Sequence, residues 1–564
     1  MRTLIIPCGG RGSRMASFYF PKCLLPIRQR PLLFRIIQSW QGIVDEVVLV
    51  HNPRNERILR KYISTYYDGG LPIRFVMQPR PSGTFDAVRL GLEAARSPRV
   101  ILNWSDVWLH KTPEVAHDDA KNIVVTSDIA DHCRWVFCDR QFRCREGRPF
   151  AERHGAQRAP RSLQSGCAAG TERTPHSNGV LGIFLLNDLE HAFRSNFQVE
   201  SIGETEVLAA FRGDSFRGVT VEDFTDIGDH TRYRHEDRLA ARDLSTRAFG
   251  SRATIQLQES VVIKDFSDVQ MHENEADWYR AAEFSFLPRV HSTKPLVLER
   301  LDAEPCWMRL ERDPSPAAER QIVKRLSALA RTIHTSRPSL PANADACQRQ
   351  YLVKTLERLD RVDFLFEDFN RNCFTVNGRE YPNPRDLLER NADAVRAVFP
   401  ERFHFIHGDL QLSNALIDRN DRLYLIDPRG SFGGTPLFGD ALYDFAKLYY
   451  GFCGGYDTFS TGRNRFALAE DGGFVVPPLL PPNVLARRRR FFERESRSTH
   501  YLGRSMIEID IVHAIIWLSV ADYVANDVLS SMYAYLNGTV LLSEALAART
   551  SQLQSHGAAL RAAA

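Results

Sequence analysis

Along residues 1 to 110 short apolar runs alternate with amphipathic stretches. The runs Thr3–Ile6, Glu46–Val50, Ile73–Met77 and Val100–Leu102 read as buried strands, and Leu32–Trp40 and Phe85–Ala95 repeat apolar positions at helical spacing. Strands separated by helices predict a right-handed, mainly parallel α/β sheet, whose ligands gather at the carboxyl ends of the strands. Between about Arg140 and Thr174 the periodicity dissolves into Arg, Gly, Ser and Ala, which reads as a mobile surface loop. The strand-like GVLGIFLL follows, and this first pattern closes near Leu244.

A second pattern begins at Ala253 with a β-rich stretch ending VVIKDF. A helix around His272–Ala282, a strand in PLVLERL and a long helical region follow, the signature of an α+β domain. At 564 residues the chain exceeds what one core usually serves, so two domains are expected, 1–245 and 246–564. The apolar segment Ala514–Leu542 contains Asp522 and Asp527, whose burial in lipid would be costly, and it reads as soluble helices rather than a membrane insertion.

Composition narrows the function classes. A net charge of +4 gives no ground for nucleic acid as a partner. Ten scattered cysteines without a C-x-x-C pair, and an N-terminus lacking the features of a signal peptide, point to reduced thiols and a cytoplasmic protein. The basic run Arg487–Arg490 reads as a solvated helix face. Lysine is scarce, with nine in the chain, and two of them, Lys22 and Lys264, stand at motif positions.

The first motif, Gly9-Gly10-Arg11-Gly12-Ser13-Arg14, follows directly on a predicted strand and precedes Pro21-Lys22. Glycines let the backbone approach a triphosphate closely, and Arg14 and Lys22 supply charge for its phosphates. Neither the G-x-G-x-x-G dinucleotide pattern nor a Walker loop fits. Further pieces follow in order: Gln78 with Gly83-Thr84-Phe85-Asp86-Ala87, then Asp106 after VILNW, then Phe224-Thr225-Asp226-Ile227-Gly228. Together they resemble the nucleotidyltransferase superfamily that joins an NTP to sugar-1-phosphates or phosphocholine, across about residues 1–240. The resemblance implies a Rossmann-like fold, with Gly9, Gly10, Gly12, Arg14, Gln78 and Gly83 on the nucleotide, the last two at the base. It also implies Lys22 on the donor and acceptor phosphates, and Asp106 and Asp226 on Mg²⁺. Where relatives often carry an acceptor-phosphate lysine the chain reads Gly147 to Gly155 without one, and Arg148 or Arg153 is the available substitute.

The second motif is His407-Gly408-Asp409-Leu-Gln-Leu-Ser-Asn414, followed by a hydrophobic strand ending in Asp427. It is similar to the catalytic segment of the aminoglycoside and choline kinase group, over about residues 250–450. The resemblance implies that Asp409 orients or deprotonates the substrate hydroxyl and that Asn414 and Asp427 coordinate Mg²⁺ on ATP. It also implies Lys264 on the ATP phosphates with Glu275 as its partner, Glu273 competing for that role. His407 reads as holding the loop, Asp440 and Asp444 as its support, and Glu299-Arg300-Leu301 as the hinge beneath adenine. ATIQLQES holds no glycine, so a protein-kinase phosphate cover is absent.

A bifunctional enzyme is therefore expected: a kinase for a small alcohol, amino alcohol or sugar, and a nucleotidyltransferase acting on its product. The NTP would be CTP or UTP, and the activated product a precursor for cell-surface glycan. The alternative is that one half is a nucleotide-sensing or regulatory module.

Overall fold

The computed structural model describes residues 1–9, 20–27, 29–80, 83–114, 122–127, 137–138, 178–192, 216–228, 231–233, 235–236, 253–367, 372–461, 466–497 and 502–563. Gly10, Gly12, Arg14, Arg148, Arg153 and the predicted loop 140–174 lie outside these residues. The chain divides into two units, Met1–Asp237 and Arg238–Ala564.

The first unit is built on strands β1 (Thr3–Cys8), β2 (Glu46–His51), β3 (Ile73–Met77), β4 (Val100–Asn103), β5 (Val107–Leu109), β6 (Asn122–Ser127), β7 (Asn178–Leu186), β8 (Phe216–Thr220) and β9 (Phe224–Asp226). The main sheet runs β8-β6-β7-β4-β1-β2-β3, with the short strand Phe137–Cys138 added beside β7. β1 pairs in parallel with β2 and β4, Thr3 opposite both Glu46 and Val100, and β2 pairs in parallel with β3. One strand departs from the parallel pattern: β7 runs antiparallel between β4 and β6. The apolar residues of β1, β2 and β4 are nearly all inaccessible to solvent, as expected of a sheet covered on both faces.

Helices α1 (Leu32–Ser39), α2 (Pro53–Tyr66) and α3 (Thr84–Ala94) link these strands. α2 lies beyond the expected elements. It starts on the Asn52 side chain, which accepts from Asn55 N at 2.9 Å, with proline in its first turn. Helix α3 lies against β1 through Gly91, where a Cβ would sit 2.5 Å from Ile5 Cγ2.

The second unit opens with an antiparallel sheet of β10 (Ala253–Leu257), β11 (Val261–Phe266), β12 (Val290–Thr293) and β13 (Leu296–Glu299) in the order β10-β11-β13-β12. Helix α4 (Val269–Ala281) begins on Asp268, whose carboxylate caps Gln270 N and Met271 N. The rest is mainly helical: α5 (Pro316–Thr335), α6 (Ala344–Gln348), a π-helical turn over Arg349–Val353, α7 (Lys354–Val362), α8 (Ala441–Phe452), α9 (Pro482–Arg497), α10 (Met506–Tyr523) and α11 (Val528–Ala563). Between α7 and α8 lie the strands β14 (Arg402–Phe405), β15 (Ala415–Asp418) and β16 (Leu423–Leu425), the last two a hairpin. The fold class is thus a mainly parallel α/β unit followed by an α+β unit.

Among the described residues no helix is long and apolar enough to cross a membrane. The two aspartates of the apolar C-terminal segment have structural partners: Asp522 accepts from Arg361 Nε at 3.0 Å and Asp527 from Ser530 N at 2.9 Å. Arg490 is exposed, but the other three arginines of the run are not simply a solvated face. Arg487 Nε and Arg488 Nε donate to the fully buried Glu319 of α5 at 2.6 and 2.9 Å, and Arg489 pairs with Asp510 at 2.6 Å. Their charges pin α9 to its neighbours because their counter-charges lie on other helices.

Candidate active sites

In the first unit the carboxyl ends of β1, β3 and β4 carry the candidate residues. Gly9 follows β1 and packs so tightly on Gln78 that a Cβ would fall 2.3 Å from its Oε1. Gln78, buried at the end of β3, donates its amide to the Gly83 carbonyl at 3.0 Å and to Asp86 Oδ2 at 3.2 Å. Gly83 takes a φ of 113° at the start of α3, a conformation that glycine adopts without strain. Gly9, Gln78 and Gly83 therefore form one cluster.

Lys22, Asp106 and Asp226 form a second. Pairing of β5 with β9 sets Asp226 opposite Val107, and Ile227 N donates to the Asp106 carbonyl at 3.0 Å. Lys22 Nζ lies 2.6 Å from Asp106 Oδ2. Asp226 accepts from Gly228 N at 2.8 Å and from Arg232, a partner that the sequence did not single out. Two largely buried carboxylates, each with its own cation, can hold a phosphate chain only by exchanging those partners for ligand and metal.

In the second unit Lys264 of β11 is buried between two carboxylates, 2.5 Å from Glu275 Oε1 on α4 and 2.9 Å from Asp427 Oδ1. Glu275, not Glu273, is thus the glutamate that pairs with it. Burial opposes the charge of Lys264, but Asp427 and Glu275 outweigh it and raise its pKa. Burial pushes the Glu275 carboxyl up, to about 7, against the pull of Lys264. Asp427 adopts a φ of 60°, a left-handed backbone rare outside glycine and typical of constrained functional positions.

Asp409 and Asn414 lie on the segment joining β14 to β15, and Asn414 Nδ2 donates to the Asp409 carbonyl at 3.0 Å and its Oδ2 at 3.2 Å. Burial would raise the Asp409 pKa, yet Lys447 Nζ at 2.9 Å and Arg429 Nε at 3.9 Å hold it down at about 2. Asp409 is therefore ionised throughout the physiological range. Lys447, on the apolar helix α8, was not visible as a site residue in the sequence.

Asp444 fixes the loop from beneath, accepting from His407 N at 2.9 Å and Gly408 N at 2.7 Å while His334 Nε2 braces it at 2.9 Å. His407 is fully buried, and burial lowers its pKa. Asp440 caps α8 through Leu442 N at 2.9 Å. Glu299 ends β13, exposed.

Residues 4–143 match the MobA-like NTP transferase domain family, and residues 264–472 match the phosphotransferase enzyme family. Among curated proteins, the bifunctional protein GlmU of Methanococcus aeolicus is 24% identical over 127 residues, 22% of this chain and 30% of its own length. The bifunctional protein GlmU of a Nitratiruptor species is 36% identical over 89 residues, 15% of this chain and 20% of its own. The chain spans less than a third of the length of these curated relatives. Among solved structures, HddC from Yersinia pseudotuberculosis aligns with 42% of this chain and 98% of its own at 18% identity and a TM-score of 0.31. A putative glucose-1-phosphate thymidylyltransferase from Bacillus anthracis aligns with 43% and 96% at 15% identity and a TM-score of 0.29. The chain joins an N-terminal domain of the MobA-like NTP transferase family to a C-terminal domain of the phosphotransferase enzyme family.

Proposed function

We propose that the second domain phosphorylates a small alcohol, amino alcohol or sugar with ATP, and that the first transfers a nucleotidyl group from CTP or UTP to the phosphorylated product. Such an activated product would serve cell-surface glycan assembly. The observation that carries this reading is Asp409, paired with Lys447 at 2.9 Å on the loop that bears Asn414, together with the Lys264–Glu275–Asp427 cluster. In the kinase step Asp409 accepts the hydroxyl proton as the oxygen attacks the γ-phosphorus, and ADP leaves. Lys264, held by Glu275, grips the α- and β-phosphates. In the second step an oxygen of the new phosphate attacks the α-phosphorus of the NTP, and pyrophosphate leaves. Lys22 offsets the charge that gathers on the phosphates.

Mg²⁺ fits both sites by donor chemistry. Asp106 with Asp226, and Asp427 with Asn414, offer hard oxygens. Mg²⁺ is commonly held through one or two carboxylates plus substrate phosphates, which these donors could provide. When bound, Mg²⁺ would neutralise charge on the substrate phosphates.

The test is a one-pot reaction of candidate alcohols with ATP and each NTP, read by mass spectrometry for an NDP-linked product. Asp409→Asn should abolish phosphorylation while nucleotidyl transfer to a supplied phospho-acceptor persists. Kinase activity within roughly tenfold of wild type would remove Asp409 from the chemistry, since a general base contributes about 10²–10⁴-fold. A kinase product refused by the first domain with every NTP would break the serial scheme.

A further inference from the structure

Beside the Asp409 loop lies a cavity of about 360 Å³ lined by Arg349, Lys354, Glu357, Gly408, Arg429 and Tyr443 among others. Three of its charged residues are cationic and one is anionic. The cavity opens next to the reacting group: Gly408 immediately precedes Asp409, and Arg429 Nε is 3.9 Å from Asp409 Oδ2. Gly408, at a φ of 78°, is required here because a Cβ would meet Arg429 Cβ at 2.8 Å. Arg349 is held in place by the Gly433 carbonyl, to which its Nε donates at 2.8 Å.

Lys354 is the informative member. Half-buried, it has no ion-pair partner among the described residues, although partly buried charges are ordinarily paired. Burial, then Arg358, Arg429 and Lys447, push its pKa well below the ordinary lysine value, and Asp409 is the carboxylate that opposes them. Asp409 already has Lys447 at 2.9 Å. Glu357, the one anionic residue of the lining, forms no ion pair with Lys354 among the described residues, so an anion entering the cavity would supply the missing counter-charge. Arg429 and Lys447 adjoin Asp409. Arg349 and Lys354, on the helical wall, are left for the acceptor.

Resting on the kinase reading above, we propose that the phospho-acceptor carries an anionic group, a carboxylate or a phosphate, which docks between Arg349 and Lys354 while its hydroxyl reaches Asp409. This chemistry selects acidic or already phosphorylated sugars and small hydroxy acids, and it excludes the amino alcohols, whose ammonium would meet like charge. The product that passes to the nucleotidyl step then carries two anionic groups.

The experiment uses the full chain with ATP, Mg²⁺ and matched acceptors: glucose, glucuronate, glucose 6-phosphate and glucosamine, then glycerol, glycerate, glycerol 3-phosphate and ethanolamine. ADP release is the readout. An anionic member should lead its set by at least about tenfold in kcat/KM, and Lys354→Gln should raise its KM about 10- to 100-fold, the loss expected for one charged hydrogen bond. The KM for ATP should stay within about twofold, and Lys354→Arg should recover most of the acceptor affinity. Comparison of the carboxylate and phosphate arms identifies the group. Arg349→Gln, which alters the same pocket from its rim, gives the second reading if Lys354→Gln misfolds. A neutral or cationic acceptor leading its set, or variants that move the KM for ATP and not that for the acceptor, would overturn the inference and leave the kinase standing. If no member is phosphorylated while ATP still binds, the kinase reading falls and this inference with it.

Discussion

Replacing Lys447 with methionine removes the ammonium 2.9 Å from Asp409 while keeping an unbranched side chain in helix α8. At an effective dielectric of about 20 such a pair is worth about 4 kcal/mol at 4 Å, or about three pH units. Arg429 remains 3.9 Å away, while burial continues to work against the carboxylate. The Asp409 pKa should therefore climb from about 2 to the ordinary range, about 4–5. Asp409 titrates lower in the folded chain than in the unfolded one. Its contribution to stability is thus present above about pH 4 and lost as the pH falls towards 2. In Lys447→Met the two values nearly coincide, so about 2 kcal/mol should already be missing at neutral pH. The assays are urea unfolding at pH 7 and acceptor-dependent ADP release from about pH 4.5 to 8. The variant should lose about tenfold in kcat at pH 7, through poorer orientation of the base, and gain an acid limb near pH 4–5 that the wild type lacks. Lys447→Arg should restore both. A Lys447→Met profile that overlays the wild type across the range, with stability unchanged, would show that Lys447 neither orients Asp409 nor holds it ionised.

Other consequences can be checked separately. Asp106→Ala and Asp226→Ala should each lower NTP-dependent pyrophosphate release by about 10²–10³-fold, and near wild-type release in both would dismiss the metal assignment. Lys22→Ala should be similarly impaired while still binding Mg²⁺. Glu319→Ala strands Arg487 and Arg488 without their shared counter-charge and should cost about 3–5 kcal/mol in denaturant unfolding, whereas a loss below about 1 kcal/mol would mean water replaces the carboxylate. Gly430→Ala would bring a Cβ within 1.9 Å of the Asn274 carbonyl at a φ of 64°. It should push α4 and Glu275 away from Lys264 and weaken ATP binding, while titration of the first domain with NTP stays unchanged.

The legible parts of this chain were those whose chemistry lies along a short stretch of sequence. Asp409 and Asn414 share one loop, and the β15–β16 hairpin returns Asp427 to it, so sequence spacing and spatial proximity coincide. The strands of the first sheet were legible because parallel strands covered on both faces are almost continuously apolar. The antiparallel β7 was not, since a strand's direction depends on its connections and the segment before it shows no periodicity. Helix α2 had a readable start in Asn52-Pro53, but its polar surface masked its repeat. The arginine run was misread because its counter-charge, Glu319, stands 168 residues away from Arg487. Lys447 and Lys354 escaped notice for the same reason: in sequence each is a lone lysine on an ordinary helix, and only tertiary packing brings them to Asp409.

The π-helical turn at Arg349–Val353 gives the cavity wall its periodicity. In a regular α-helix, residues five apart point about 140° away from one another, so Arg349 and Lys354 would face different surroundings. The wider i→i+5 turn narrows that angle, and both residues line one cavity. A π turn amounts to one residue more than an α-helix can accommodate. Deleting one residue from this turn would regularise the helix and change which side chains of the turn face the cavity. Acceptor choice could therefore change through a single-codon deletion that replaces no residue lining the cavity, a route open to divergence among related chains and to redesign of this one.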